Sequence, residues 1–103
     1  MDETERSVDR PRMATRLQTA FGERLRGLRQ ARGTSQEGFA SLADIDRASY
    51  GKLERGELNP SLITLARLAV ALGLTLSQLL EGLETPASEI RSLPRSMRGR
   101  RSS

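Results

Sequence analysis

The chain has 103 residues, no cysteine and no histidine, and only 3% of its side chains are aromatic. That bounds it to one domain with a small, mostly aliphatic core, and it excludes disulfides, zinc sites and histidine-dependent nucleophilic catalysis. No apolar run approaches the roughly 18 residues a membrane span needs. The charged start MDETERSVDR lacks the apolar segment of a secretory signal, so a soluble, cytoplasmic protein is expected.

A net charge of +4 suggests a nucleic-acid partner, but its placement tempers the suggestion. Residues 19–84 carry equal numbers of basic and acidic side chains, and so do residues 1–18. The surplus lies beyond Thr85, in Arg91, Arg95, Arg98, Arg100 and Arg101 against Glu89. Charge on individual helix faces is therefore the better guide.

Residues 1–18 are mixed in charge, broken by Pro11, and read as a flexible N-terminal arm. The alternative is that Leu17 begins an extension of the first helix. That helix is predicted from about Ala20 to Ala31, with Phe21, Leu25 and Leu28 as its buried stripe. Gly22 and Gly27 each weaken it by roughly 1 kcal/mol relative to alanine, and Gly33 ends it.

The stretch Thr34–Gly56, TSQEGFASLADIDRASYGKLERG, organises the rest. Thr34 and Glu37 have the spacing of a capping box, and Phe39, Ala40 and Ala43 supply one buried face. After a break at Asp44-Ile45-Asp46, Asp46 is a good N-cap for another helix, Arg47 to about Arg55. Tyr50 and Leu53 point to one side of it. Arg47, Ala48, Gly51, Lys52 and Arg55 fall on the other, which is basic or nearly bare, and Gly56 terminates the helix. Two short helices joined by a tight turn, the second with a basic outer face, suggest a helix-turn-helix.

After the Glu57–Pro60 loop, Ser61 caps a fourth helix, about Leu62 to Leu72, with Leu65, Leu68, Ala69 and Leu72 facing the core. Gly73 ends it and Leu74 fills the core. Thr75 with Gln78 forms a capping box for a fifth helix, about Leu76 to Leu83, apolar over more than one face. Together with Ile63, Ala66 or Val70 it leaves surplus apolar surface, which suggests a partner interface. Residues 85–103 read either as a disordered tail or as a basic arm making sequence-independent phosphate contacts.

The chain resembles the phage repressor and Cro-type (Xre) family. The matching marks are Ser35-Gln36-Glu37 and Phe39-Ala40 in the second helix, Leu53-Glu54-Arg55-Gly56 closing the third, and Asn59-Pro60-Ser61 leading into the fourth. The resemblance covers roughly residues 21–80. It implies an all-α, five-helix lambda-repressor-like domain over residues 19–84, with helices two and three as the helix-turn-helix. Asp44 stands where the family usually has glycine; aspartate tolerates a left-handed conformation better than most residues.

The resemblance further implies that the third helix enters the DNA major groove. Arg47, Ala48, Ser49 and Lys52 are then the base-reading candidates: Arg47 for guanine, Ala48 for a thymine methyl. Gln36, Arg55, Asn59 and Ser61 are candidates for the DNA backbone, Gln36 also bracing the reading helix, with Glu57 angled away from phosphate. Arg29 and Glu54 match a buried structural pair of the family; the alternative is two solvated charges. Dimerisation on a near-palindromic site is also implied, and Val70, Leu76, Leu79 and Leu83 are the candidate interface.

The expected function is a sequence-specific, homodimeric transcriptional regulator, nucleoid-associated and not an enzyme. Restriction–modification controllers and small phage-type repressors are the fitting roles. The alternatives are an antitoxin, with a tail binding a protein partner, and an interaction adaptor that keeps the fold without reading DNA. No metal, cofactor or small-molecule ligand is expected.

Overall fold

The computed structural model describes residues 15–95, and among these the regular structure is entirely helical. The helices are α1 (Arg16–Ala31), α2 (Gln36–Ala43), α3 (Arg47–Glu54), α4 (Leu62–Leu72), α5 (Leu76–Leu79) and α6 (Ala87–Arg91). Helix α3 packs against α1 and α2, α4 against α2, and α5 against α4. Phe39 and Tyr50 meet edge to face, with ring centroids 5.4 Å apart, where α2 crosses α3. Phe21, Leu25, Ala40, Ala43, Leu53, Leu68, Ala69, Leu72 and Leu79 complete the buried core around them.

Local signals explain most boundaries. Helix α1 begins at Arg16, earlier than Ala20, because Thr15 and Gln18 close a full capping box: Gln18 N donates to Thr15 Oγ1 at 3.0 Å and Thr15 N to Gln18 Oε1 at 2.9 Å. The arm expected over residues 1–18 thus overlaps the start of this helix, and residues 1–14 lie outside the described part. Ser35, not Thr34, caps α2 by accepting the Gly38 N–H at 3.0 Å. Ser61 and Thr75 cap α4 and α5.

Asp44 adopts the left-handed conformation, φ 60° and ψ 45°, and ends α2. The Ile45 N–H returns to Ala40 O at 2.9 Å and the Asp44 N–H to Ser41 O at 3.1 Å, the paired closure usually built on glycine. Asp44 Oδ2 lies 3.0 Å from Arg67 Nη1 of α4.

Two elements differ from expectation. Helix α5 stops at Leu79 and does not run to Leu83: Leu80 leaves helical geometry and Gly82 sits at φ 81°. Helix α6 lies within the segment expected as a tail, and its Glu89 carboxylate accepts the free Arg16 N–H at the start of α1, at 3.0 Å. Residues 96–103, with Arg98, Arg100 and Arg101, fall outside the described part.

Helix α1 is held from several sides. Arg24 donates to the Leu79 and Gln78 carbonyls at 2.7 and 2.6 Å, and Arg32 to the Leu72 carbonyl at 3.0 Å. Arg32 and Arg24 thereby satisfy the Leu72 and Leu79 carbonyls, which the C-terminal ends of α4 and α5 leave without helical partners.

Candidate nucleic-acid interface

Helix α3 starts at Asp46, whose Oδ2 accepts the Ser49 N–H at 3.1 Å. The Ser49 hydroxyl and then its N–H hold the Asp46 carboxyl below the usual carboxylate value. From this start the helix splits into two faces. Tyr50, Leu53 and Glu54 are buried; Arg47, Ala48 and Lys52 are exposed and Ser49 half-buried. Among the described residues no acidic side chain pairs with Arg47 or Lys52, so both cations are free to engage a ligand.

The back of the helix is fixed by one buried carboxylate. Arg29 grips Glu54 with two donors, Nε to Oε2 at 2.6 Å and Nη2 to Oε1 at 3.1 Å. Gln36 Nε2 donates to Oε1 at 2.8 Å, the Tyr50 hydroxyl donates to Oε2, and Arg26 Nε stands 3.6 Å from Oε1. Arg29 Nη1 continues to the Thr34 carbonyl at 2.8 Å. One carboxylate thereby ties α3 to α1, to the start of α2 and to its own preceding turn.

Burial opposes the charge on Glu54, but the hydrogen bonds from Arg29, Tyr50 and Gln36 outweigh it and leave the carboxyl below its ordinary value. The Glu54 hydrogen bond raises Arg29 despite desolvation. Burial, then the bond to Glu54, pushes the Tyr50 hydroxyl well above its usual range.

Backbone contact backs up the polar grip. A Cβ on Gly22 would lie 2.3 Å from the Glu54 carbonyl oxygen, so α1 and α3 touch main chain to main chain there. Gly56 combines φ 77° with a similar approach, its would-be Cβ 2.9 Å from Thr19 Cα. By helix propensity alone Gly22 is a weak point of α1; in the fold it is the contact that lets α3 sit close.

The other expected site residues either have partners within the chain or face solvent. The Gln36 amide nitrogen is engaged by Glu54. Arg55 donates to Glu57 at 3.1 and 3.3 Å, so the Glu57 carboxylate is turned toward that cation. Gly51 is buried, with Arg55 Nη1 lying 3.2 Å from where its Cβ would stand, so that stretch of the outer face is not bare. Ser61 Oγ accepts the Thr64 N–H at 3.0 Å as the α4 cap, and Asn59 is exposed.

The expected interface changes as well. Leu79 is fully buried in the core, and Leu76 and Leu83 are half-buried against it. Shortening α5 turns these leucines inward. Of the expected interface Val70 stays 78% exposed, with Ile63 on the same helix 63% exposed, and Leu42 of α2 joins them at 64%.

A family model described as helix-turn-helix matches residues 25–79, which spans α2, the Asp44 turn and α3. The chain belongs to the helix-turn-helix family of Xre/Cro-type DNA-binding regulators. It is 39% identical over 69 residues to the control protein C.MunI of a Mycoplasma species, covering 66% of this chain and 93% of that protein. It is 50% identical over 62 residues to the transcriptional regulator DdrOP3 of Deinococcus deserti, covering 60% of this chain but 48% of that longer protein. Among solved structures, the restriction-modification controller C.AhdI of Aeromonas hydrophila is similar at a TM-score of 0.58 and 46% identity, over 59% of this chain and 92% of that one. A helix-turn-helix regulator's work is binding DNA, and members of this family are not enzymes. No helix among the described residues is long and apolar enough to cross a membrane.

Proposed function

We propose that this helix-turn-helix regulator binds a near-palindromic operator as a homodimer and acts as a restriction–modification controller or a small phage-type repressor. The observation that carries this reading is the two-faced α3. Its back is locked by Glu54, while its front offers Arg47 and Lys52 unpaired beside Ala48 and Ser49. Arg47 suits guanine O6 and N7, Ala48 a thymine methyl, and Lys52 a second base farther along the groove. Arg55, Asn59 and the start of α2 at Gln36 supply the backbone contacts that set register. The controller role is favoured by the match over 93% of C.MunI and 92% of C.AhdI. Such a regulator works in the cytoplasm, on the nucleoid.

One recognition helix spans only a few base pairs, and a two-fold dimer places two of them about 34 Å apart. The surface that suits this pairing is the patch of Leu42, Ile63, Ala66 and Val70, with Asp44 and Arg67 beside it. Asp44 and Arg67 neutralise each other at its edge, 3.0 Å apart, so the apolar patch meets its own copy across a two-fold axis without like-charge repulsion, which favours a second copy as its occupant.

The test is selection from a randomised duplex pool at two salt concentrations, with wild type and Arg47→Ala. Enrichment of one near-palindromic site, relaxed at a defined base pair by Arg47→Ala, is the expected result. Weak, sequence-blind binding that Arg47→Ala leaves unchanged would refute it. Val70→Glu should lower both dimer mass and operator affinity; an unchanged dimer mass would remove the patch from the interface.

A further inference from the structure

Arg55, Gly51 and Glu57 form a second arrangement, on the outer side of α3 and at its C-terminal end. Positions 47, 51 and 55 recur every four residues and so lie in one row along α3. Gly51 sits inside the helix, where glycine costs about 1 kcal/mol relative to alanine. Its missing side chain leaves a trough, and the Arg55 guanidinium lies in it, with Nη1 3.2 Å from the would-be Cβ. This folds the Arg55 charge back by a turn toward Arg47, along the outer face of the helix.

Glu57 fixes that pose. Its backbone is pinned to α3 by the closure at Gly56: the Glu57 N–H donates to Lys52 O at 2.9 Å and the Gly56 N–H to Leu53 O at 3.1 Å. Its carboxylate then takes Arg55 Nε and Nη2 in a fork, at 3.1 and 3.3 Å. The Arg55 side chain stays 54% exposed, while that of Glu57 is 21% exposed. Nη1 is left outside the fork.

We infer that Glu57 is a positioning residue for DNA binding: it holds the Arg55 guanidinium in the Gly51 trough, with Nη1 presented to a backbone phosphate. The inference rests on the proposed reading of α3 as the DNA-binding helix. It makes a claim opposite to simple charge counting, by which an acid near phosphate weakens binding and its removal strengthens it. With the guanidinium already placed, no ordering of a long, flexible side chain is needed when the complex forms.

The test uses the full chain and the duplex enriched by the selection above, with a mixed-sequence duplex of equal length alongside. Glu57→Gln is expected to weaken binding to the enriched duplex about two- to tenfold, the cost of ordering one such side chain. The magnitude of the log affinity against log salt slope should fall by up to about 0.9, one phosphate contact. Gly51→Ala fills the trough without changing any charge, raises helix propensity, and should weaken binding by a similar factor with no loss of thermal stability. In an Arg55→Ala background, Glu57→Gln should no longer weaken binding. If wild type binds the duplex but Glu57→Gln tightens it or leaves it unchanged, the positioning role is overturned while the DNA reading stands. A wild type that binds neither duplex overturns both.

Discussion

Gly22 and Gly27 lie on the same helix and carry the same propensity penalty, yet alanine at the two positions should have opposite effects. A Cβ at Gly22 would stand 2.3 Å from the Glu54 carbonyl oxygen, 2.7 Å from that of Leu53 and 2.8 Å from the Glu54 carbonyl carbon. Carbon–oxygen contacts close at about 3.3 Å even when weakly attractive, so α1 and α3 would have to part by about 1 Å. The opposing atoms are backbone and cannot rotate away. Overpacking costs about 1–3 kcal/mol, and parting the helices also stretches the Arg29 grip on Glu54, which places Gly22→Ala at the upper end. Regained propensity offsets about 1 kcal/mol, leaving a net loss of about 2 kcal/mol.

Nothing lies within 4 Å of a Cβ at Gly27, so Gly27→Ala should keep its whole gain of about 1 kcal/mol. At 4–8 °C per kcal/mol for a domain of this size, Gly22→Ala should melt about 8–16 °C below wild type and Gly27→Ala about 4–8 °C above it. Thermal melts by far-ultraviolet circular dichroism, at matched protein concentration, measure both. A Gly22→Ala variant as stable as wild type would refute the close helix contact.

Arg29→Ala should cost about 3–5 kcal/mol in urea unfolding, because it strands a buried Glu54 carboxylate; a loss under about 1 kcal/mol would mean that Glu54 is solvated. The lowered folded-state value of Glu54 sets a pH dependence. Its stabilisation is complete above the ordinary glutamate value near pH 4.3 and is lost as pH falls through the depressed folded value. Acid titration of stability should therefore steepen below about pH 4, and Glu54→Gln, less stable at neutral pH and converging with wild type in acid, should flatten that limb. Leu79→Ala should cost about 2–5 kcal/mol as a core cavity, and a near-neutral result in chemical denaturation would return Leu79 to the surface.

The helix-turn-helix was legible because its signals are local. Asp46 as a cap, Asp44 in a left-handed turn and the Tyr50–Leu53 inward face follow from spacing and backbone chemistry within a few residues. The start of α1 was missed: Thr15 and Gln18 have capping-box spacing, but the mixed charge around them read as a flexible arm. What was hidden depends on partners distant in sequence. Nothing near Gly22 announces the Glu54 carbonyl, and nothing near Arg24 or Arg32 announces the helix ends they cap. The run Leu76–Leu83 looked like one amphipathic helix with a face to spare, and only its break after Leu79 shows that these leucines turn inward. Gln36 was expected from the resemblance to bond phosphate and brace the reading helix, but nothing near it in sequence announces the buried Glu54 carboxylate through which it does the bracing.

The Glu54 network separates how α3 is held from what α3 displays. Every group that sets its tilt and depth lies on its back or at its ends, in Gly22, Arg29, Gln36, Tyr50 and Asp46. Arg47, Ala48 and Lys52 bear no part of that load. The front of the helix is in this sense an interchangeable key blank: its three teeth can be recut without refitting the lock that carries them. On the proposed reading of α3, exchanging those positions for other exposed side chains should redirect sequence preference while the melting temperature stays put, so new targets would not cost this scaffold its fold.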